Sequence, residues 1–393
     1  MDDLGPYGWL PDRHLGAAAA LAHADGIIGQ IGDLLFVYGT QPDGPLRLQE
    51  VPDGQVSRSV VVGIAPVPRK VSLLVADAFV VLRGALEHTL FAEAEFLNGG
   101  TLSNTAARNV EMPATKTYED FTRWADRQRR NGGPKSLRAR GVLNRRLEPL
   151  QPFNRTIGTD DHPLARLTAY TNHFKHRTPA VTAVRMGAMY RERDRPRSVR
   201  GLEPQPEEPI KVGDVIAENP IGQQEVYTLF PTVGVHLPGS DRWPLLMHEL
   251  DGIADWVRRQ ALPCLITGAT VPGDSLPAHY DISKPHSDER AAVQSGRDES
   301  AAELFTRRLK AESVRQDMPG LLCGADRILR GAGPALRAED VAAWAAQVSD
   351  KGILDRWSTF PREGEVGYDV VQRRWDVLCS LRGEAVEYAE SRT

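Results

Sequence analysis

The sequence predicts an α+β fold that is predominantly α-helical: a helical bundle with a small antiparallel β-sheet and a C-terminal helical module. Three observations predict it. A proline-free, apolar helical run occupies residues 70–97. Short β-prone runs are confined to about 33–69 and 180–237. A helical period returns after a stretch rich in Pro, Gly, Ser and Asp at 268–297. The expected organisation is a helical-bundle domain over 1–265 carrying the inserted strands, a linker or long loop at 266–297, and a helical module at 298–393.

In chain order, residues 12–31 are Ala-rich with apolar positions at Leu15, Ala18, Leu21, Ala22 and Ile28, the spacing of an amphipathic helix. Three runs follow, DLLFVYGT, PLRLQEV and RSVVVGIAPV. Pro-Asp-Gly turns separate them, so they read as a small meander. The 70–97 run is apolar nearly all round, which suits a central helix, and it stops at Asn98-Gly99-Gly100. Thr117 followed by Glu119 and Asp120 marks the start of a capped helix over 115–131. Pro163 opens a helix over 163–175, and 243–260 is helical again. The tail holds helices near 299–314, 338–348 and 368–388.

Composition narrows the function classes. The net charge of −4 gives no global attraction to nucleic acid. Cys264, Cys323 and Cys379 are widely spaced, so neither a disulfide framework nor a thiolate zinc site is expected, and a reducing, cytoplasmic setting is. The N-terminus lacks a basic segment followed by an apolar core, and no stretch of 18 apolar residues escapes a charge, so no membrane association is expected. GIIGQIG at 26–32 lacks dinucleotide-loop spacing, and no cofactor is expected. His173 and His176 have metal-ligand spacing without a third ligand, so no metal is expected either.

The chemistry-bearing helix is the 70–97 run. Asp77 and His88 fall within roughly 20° of each other around it, and Arg83 and Glu87 form an i,i+4 pair on another face. Arg83 and His88 are separated by about 140°, so a shared site needs a second helix or a second chain. A histidine of near-neutral pKa beside an arginine suits metal-independent cleavage of RNA. The histidine moves the proton and the arginine holds the phosphate. The alternative is an Arg83–Glu87 ion pair and a structural His88. A second polar cluster, His162, Asn172, His173, Lys175, His176 and Arg177, lies on the helix after Pro163. The segment 123–155 is basic through Arg127, Arg129, Arg130, Lys135, Arg138, Arg140, Arg145 and Arg146, and Arg185 to Arg200 repeat the pattern. Such stretches suit a phosphate backbone.

Several segments in order resemble an uncharacterised bacterial protein family. ADAFVVLRGALEHTL at 76–90 is similar to its arginine- and histidine-bearing helix. Met112-Pro113, LQPF at 150–153, HPLARLTAYTNHFKHR at 162–177 and LLMHELDGIADWVRRQ at 245–260 follow in the same sequence as its further motifs. The resemblance spans about residues 10–265. The chain departs from the family's pattern at Ala76, Phe79-Val80-Val81 and Phe174. The helix also looks like those of the higher eukaryotes and prokaryotes nucleotide-binding (HEPN) superfamily. That resemblance implies a dimeric, metal-independent RNase in a toxin or defence setting, with Arg83 as phosphate clamp and His88 as acid/base. Asp77, Glu87, Asn172, Lys175, His176 and Arg177 would support them, and Arg127, Arg130, Arg138, Arg140, Arg145 and Arg146 would bind RNA. The competing expectation is a non-catalytic helical interaction protein that docks a protein partner through 298–393.

Overall fold

Two long helices form the spine of the first unit, residues 1–302. The computed structural model describes residues 7–194, 202–223, 225–268, 273–324, 336–360 and 367–392. Helix α1 (Leu15–Gly39) packs along α2 (Arg69–Asn98). Ala17, Ala18, Leu21, Ala22, Ile28, Ile31 and Leu35 are all buried in α1. Small side chains there let the backbones approach closely. By length and hydropathy the stretch Asp12–Gly39 also qualifies as a membrane span, with half of that window buried. In α2, Val71, Val75, Ala78, Phe79, Leu82, Leu86 and Leu90 repeat at helical spacing and are fully buried. The αL backbone of Gly99 (φ 78°) ends this helix, a conformation that costs glycine little.

A β-hairpin is inserted at the turn of this helical pair. Strands β1 (Leu46–Asp53) and β2 (Val56–Ile64) join across Gly54-Gln55, and Gly54 has φ 63°. One expected strand is helix instead. DLLFVYGT continues α1 to Gly39, because Leu35 and Tyr38 extend the buried row begun by Ile28 and Ile31. That periodicity, and the bond from the Tyr38 hydroxyl to the Ala65 carbonyl (2.6 Å), outweigh the β propensity of Phe36 and Val37.

Helices α3 (Asn104–Ala107), α4 (Tyr118–Arg130) and α5 (Val142–Leu147) follow, and α6 (Pro163–His176) lies against α2. The Thr117 side chain caps α4 by accepting from the Asp120 amide, as the sequence predicts. Between 180 and 237 run β3 (Thr182–Arg191), β4 (Val215–Pro220) and β5 (Tyr227–Val235). They form two antiparallel sheets, β1-β2-β4 and β3-β5.

Helix α7 (Leu246–Trp256) passes through one π turn at Val257–Ala261 into α8 (Leu262–Thr267). Pro263 has no amide hydrogen to donate and crowds the preceding turn, which the wider π turn accommodates. The segment 273–302 belongs to this first unit and carries α9 (Glu289–Gln294). It is tied to α1 through Asp25, which is buried and accepts from the Ala301 amide (2.7 Å) and from Arg297 (2.6 Å).

Helix α10 (Ala301–Gly324) leads into the second unit, residues 303–393, with α11 (Ala338–Gln347), α12 (Asp350–Ser358) and α13 (Tyr368–Glu390). This unit closes its own core around Met318, Leu322, Val341, Trp344, Ile353 and Leu381. Arg315 reaches the Ala345 and Val348 carbonyls, and Arg356 pairs with Glu384 at 2.8 Å.

Candidate functional site

The Arg83 side chain is enclosed, with 13% of it exposed, and its donors are used inside the protein. Nε donates to Glu87 Oε1 (2.8 Å), Nη1 to the Thr168 hydroxyl (3.0 Å) and Nη2 to the Met112 carbonyl (2.5 Å). Glu87 completes the arrangement by accepting from the Met112 amide at 2.9 Å. The Arg83–Glu87 pair therefore grips both backbone groups of Met112 and joins α2 to α6. Close by, Gln151 is fully buried. It accepts from the Thr115 amide and hydroxyl and donates to the Leu147 carbonyl. The motif residues Arg83, Glu87 and Met112 thus meet in one hydrogen-bonded cluster, and Gln151 of a third motif holds Thr115, three positions beyond Met112.

His88 lies on a different face of α2. It is exposed, as is Asp77, and no ion pair or hydrogen bond joins the two. The expected angular separation of Arg83 and His88 is present, and so is the i,i+4 ion pair. The alternative of a core histidine beside Asp77 does not hold. Phe79 is fully buried and stacks on Tyr170 with ring centroids 4.3 Å apart. Phe174 tilts against both rings. These aromatics fill the α2–α6 contact, so Phe79 has a packing reason to be apolar.

On α6, Asn172, Lys175 and Arg177 are exposed, and the His176 side chain lies outside the described residues. His173 Nε2 is 3.0 Å from the Thr178 hydroxyl. This helix end does not converge on Arg83 through any described hydrogen bond.

The expected nucleic-acid arginines divide by environment. Arg127, Arg129 and Arg130 are exposed on α4 and have no ion pair among the described residues. Arg140 is exposed, and its backbone is held at φ 64° while its amide donates to Asn144. Arg145 is exposed and donates to the Arg140 carbonyl (2.5 Å). Arg138 donates twice to the Gly133 carbonyl. Arg146 turns inward, to Glu93 at 2.9 Å and the Leu265 carbonyl at 2.7 Å. Of the second basic stretch, Arg195, Arg197 and Arg200 lie outside the described residues. Arg185 is buried and donates to the Trp243 and Gln205 carbonyls.

Glu93 is a centre that sequence reasoning missed. Almost completely buried, it accepts from Arg13 (2.7 Å) and Arg146 and lies 2.7 Å from His14 Nε2. Burial pushes its carboxyl upward, but the hydrogen bonds from His14 and Arg13 outweigh this and hold it below the ordinary value. A glutamate on the buried side of α2 was the available signal.

The start of α6 carries another network. Arg166 donates to buried Glu249 at 2.6 Å, and Arg242 bridges Asp161 (2.5 Å) and Glu207 (2.8 Å). Burial raises the Glu249 carboxyl despite the attraction of Arg166. Hydrogen bonding from Arg242 lowers Asp161. His162 sits at this end, 8% exposed, and its ring meets Trp256 edge to face at 5.4 Å.

Comparison with known proteins finds no family model, no curated relative and no solved structure that matches the chain.

Proposed function

We propose that the chain is a non-catalytic helical interaction protein whose first unit meets a polyanion such as RNA. The observation that carries this reading is that every nitrogen of the Arg83 guanidinium is engaged inside the protein. A phosphate clamp needs free, paired N–H donors. The Arg83 donors point to Glu87, Thr168 and the Met112 carbonyl, and releasing them would unclamp the 112–115 segment. The unpaired arginines on α4, together with Arg140 and Arg145, offer the exposed positive charge that a phosphate backbone favours. Arg127 and Arg130 are three positions apart, so they share one face of α4. In the second unit, Tyr368 (82% exposed) and Val371 (66% exposed) on α13 offer apolar surface to a protein partner.

One observation favours the resemblance to HEPN-type RNases as a second reading: His88 is exposed and has no hydrogen bond or ion pair among the described residues, on a face that also bears Asp77. A second chain would then have to bring the phosphate-holding group. A single experiment separates the readings. Single-stranded RNA is incubated with purified protein in EDTA, with binding followed by anisotropy and cleavage on a denaturing gel. The expected result is salt-sensitive binding, weakened in an Arg127→Glu/Arg130→Glu double variant, with the RNA left intact. EDTA-resistant cleavage that disappears in His88→Ala overturns the interaction reading. Absence of any RNA binding removes the polyanion from it.

A further inference from the structure

An open cleft of about 290 Å³ lies where the start of α6 meets α7 and the π turn. Asn154, Arg155, His162, Gly252, Asp255, Trp256 and Gln260 line it. Neither the Arg83 scaffold nor the arginines of α4 enter it. Three features make it more than a surface dent.

The first is His162. Its Nδ1 accepts from the Leu164 amide (3.1 Å), capping α6. With Nδ1 engaged as an acceptor, the neutral ring carries its proton on Nε2. This Nε2 has no partner among the described residues, although the residue is more than nine-tenths buried. A donor left open at the wall of a cleft calls for an acceptor from outside.

The second is Arg155. It is exposed and makes no side-chain hydrogen bond or ion pair among the described residues. It stands near enough to His162 to oppose protonation of that ring, and near enough to Asp161 to help lower that carboxyl, whose hydrogen bond comes from Arg242. The N-terminal end of the fourteen-residue α6 adds partial positive charge there. The cleft's own carboxylate, Asp255, is matched by Arg258 (3.0 Å) and Arg259 (2.5 Å).

The third is the shape of the opposite wall. A Cβ added at Gly252 would meet nothing within 4 Å, so this helical position leaves space where any other residue would fill it. A glycine inside a helix is less favourable than alanine. Trp256 offers an apolar wall, and Gln260 an uncommitted amide.

The geometry points to a binding site for a small phosphate monoester, with the phosphate held by Arg155 and the His162 Nε2–H and the organic part against Trp256. The cleft sits at the small end of the range for ligand sites, so the ligand is compact. Arginine suits the role because its fork matches two phosphate oxygens. The neutral histidine donates a hydrogen bond without adding a second buried charge. Asp255 and Gln260 are placed to receive hydroxyl groups of the organic part.

The test is an NMR titration of the full chain with inorganic phosphate and, separately, with glycerol phosphate. It reads the His162 ring and the Trp256 indole N–H. Saturable shifts at both residues are expected, with glycerol phosphate binding more tightly than phosphate. Arg155→Ala should weaken binding at least tenfold, and Gly252→Leu should abolish it by filling the cleft. Arg58→Ala, on β2 and paired with Glu218, should leave it unchanged. His162→Asn keeps a capping acceptor but removes the Nε2–H, and should weaken binding severalfold. No saturable shift by either probe overturns the site, as does unchanged affinity in Arg155→Ala. A third arm uses a short RNA. Shifts with RNA but with neither small probe would assign the cleft to a polymer surface and also overturn the proposal.

Discussion

Arg83 and Arg155 are both arginines on the helical side of the first unit, yet their surroundings are opposite. Arg83 is enclosed and spends its donors on Glu87, Thr168 and Met112. Arg155 is exposed and, among the described residues, unpaired, and it lines a cleft beside an imidazole nitrogen that also has no partner among them. In sequence, Arg83 looked the more functional of the two because it shares a helix with His88. The contrast teaches that the availability of an arginine's donors, rather than its company in the sequence, decides whether it can bind a ligand.

The largest expected effect would break the structural side of this contrast. Arg83→Ala removes the guanidinium that holds the Met112 carbonyl and Thr168, and leaves Glu87 without its cation. A loss of about 3 kcal/mol is expected in urea unfolding, because partly buried polar groups lose their partners. Arg83→Lys should recover less than half of it, since an ammonium cannot reproduce the fork. A loss below about 0.5 kcal/mol in Arg83→Ala would show that the clamp is dispensable.

The next effect is a pH dependence on the cleft side. Burial, followed by the charge of Arg155, lowers the His162 pKa from 6.5 to about 4. On acidification the unfolded chain takes up this proton first. The stability due to neutral His162 is therefore full above about pH 6.5 and is lost as the pH falls through about 4. The limit is on the order of 3 kcal/mol. Other groups titrate in this range, and Glu249, raised by burial, acts in the opposite direction. The measurable quantity is thus the difference between wild type and His162→Asn in urea unfolding at pH 7 and pH 4.5. The variant should lose less stability between the two. Equal losses would mean that His162 is not held neutral.

The smallest effects sharpen the same comparison. Arg155→Ala and His88→Ala each remove an exposed side chain with no hydrogen bond or ion pair among the described residues, so stability should change by no more than about 0.5 kcal/mol. A substantial loss in either melting curve would reveal a structural tie and weaken the case for a free group.

Much of the helical frame was legible from local pattern. The proline-free run at 70–97, the Thr117 cap and Pro163 mark α2, α4 and α6 because helix periodicity and capping are short-range properties. Phe36 and Val37 misled because their β preference is local, whereas the buried row of α1 is set by packing on α2. The site was legible only in fragments. Arg83 and Glu87 were visible as an i,i+4 pair, but Met112 and Thr168 lie 29 and 85 positions from Arg83. Glu93, paired with residues 79, 80 and 53 positions away, had only its place on the buried side of α2 as a local sign. The His162 cleft joins residues about 100 positions apart, and only the histidine and its proline were conspicuous beforehand.

By itself the sequence determined the helix-rich α+β class, the main helices, and the fact that Arg83 and His88 face different ways. Each follows from residue spacing along a helix of fixed pitch. The tertiary structure alone decided which charges are satisfied and which are open. Partners for Arg83, Arg146 and Glu93, and the cleft beside His162 and Arg155, arise from segments far apart in the chain. No local propensity encodes the distance between them.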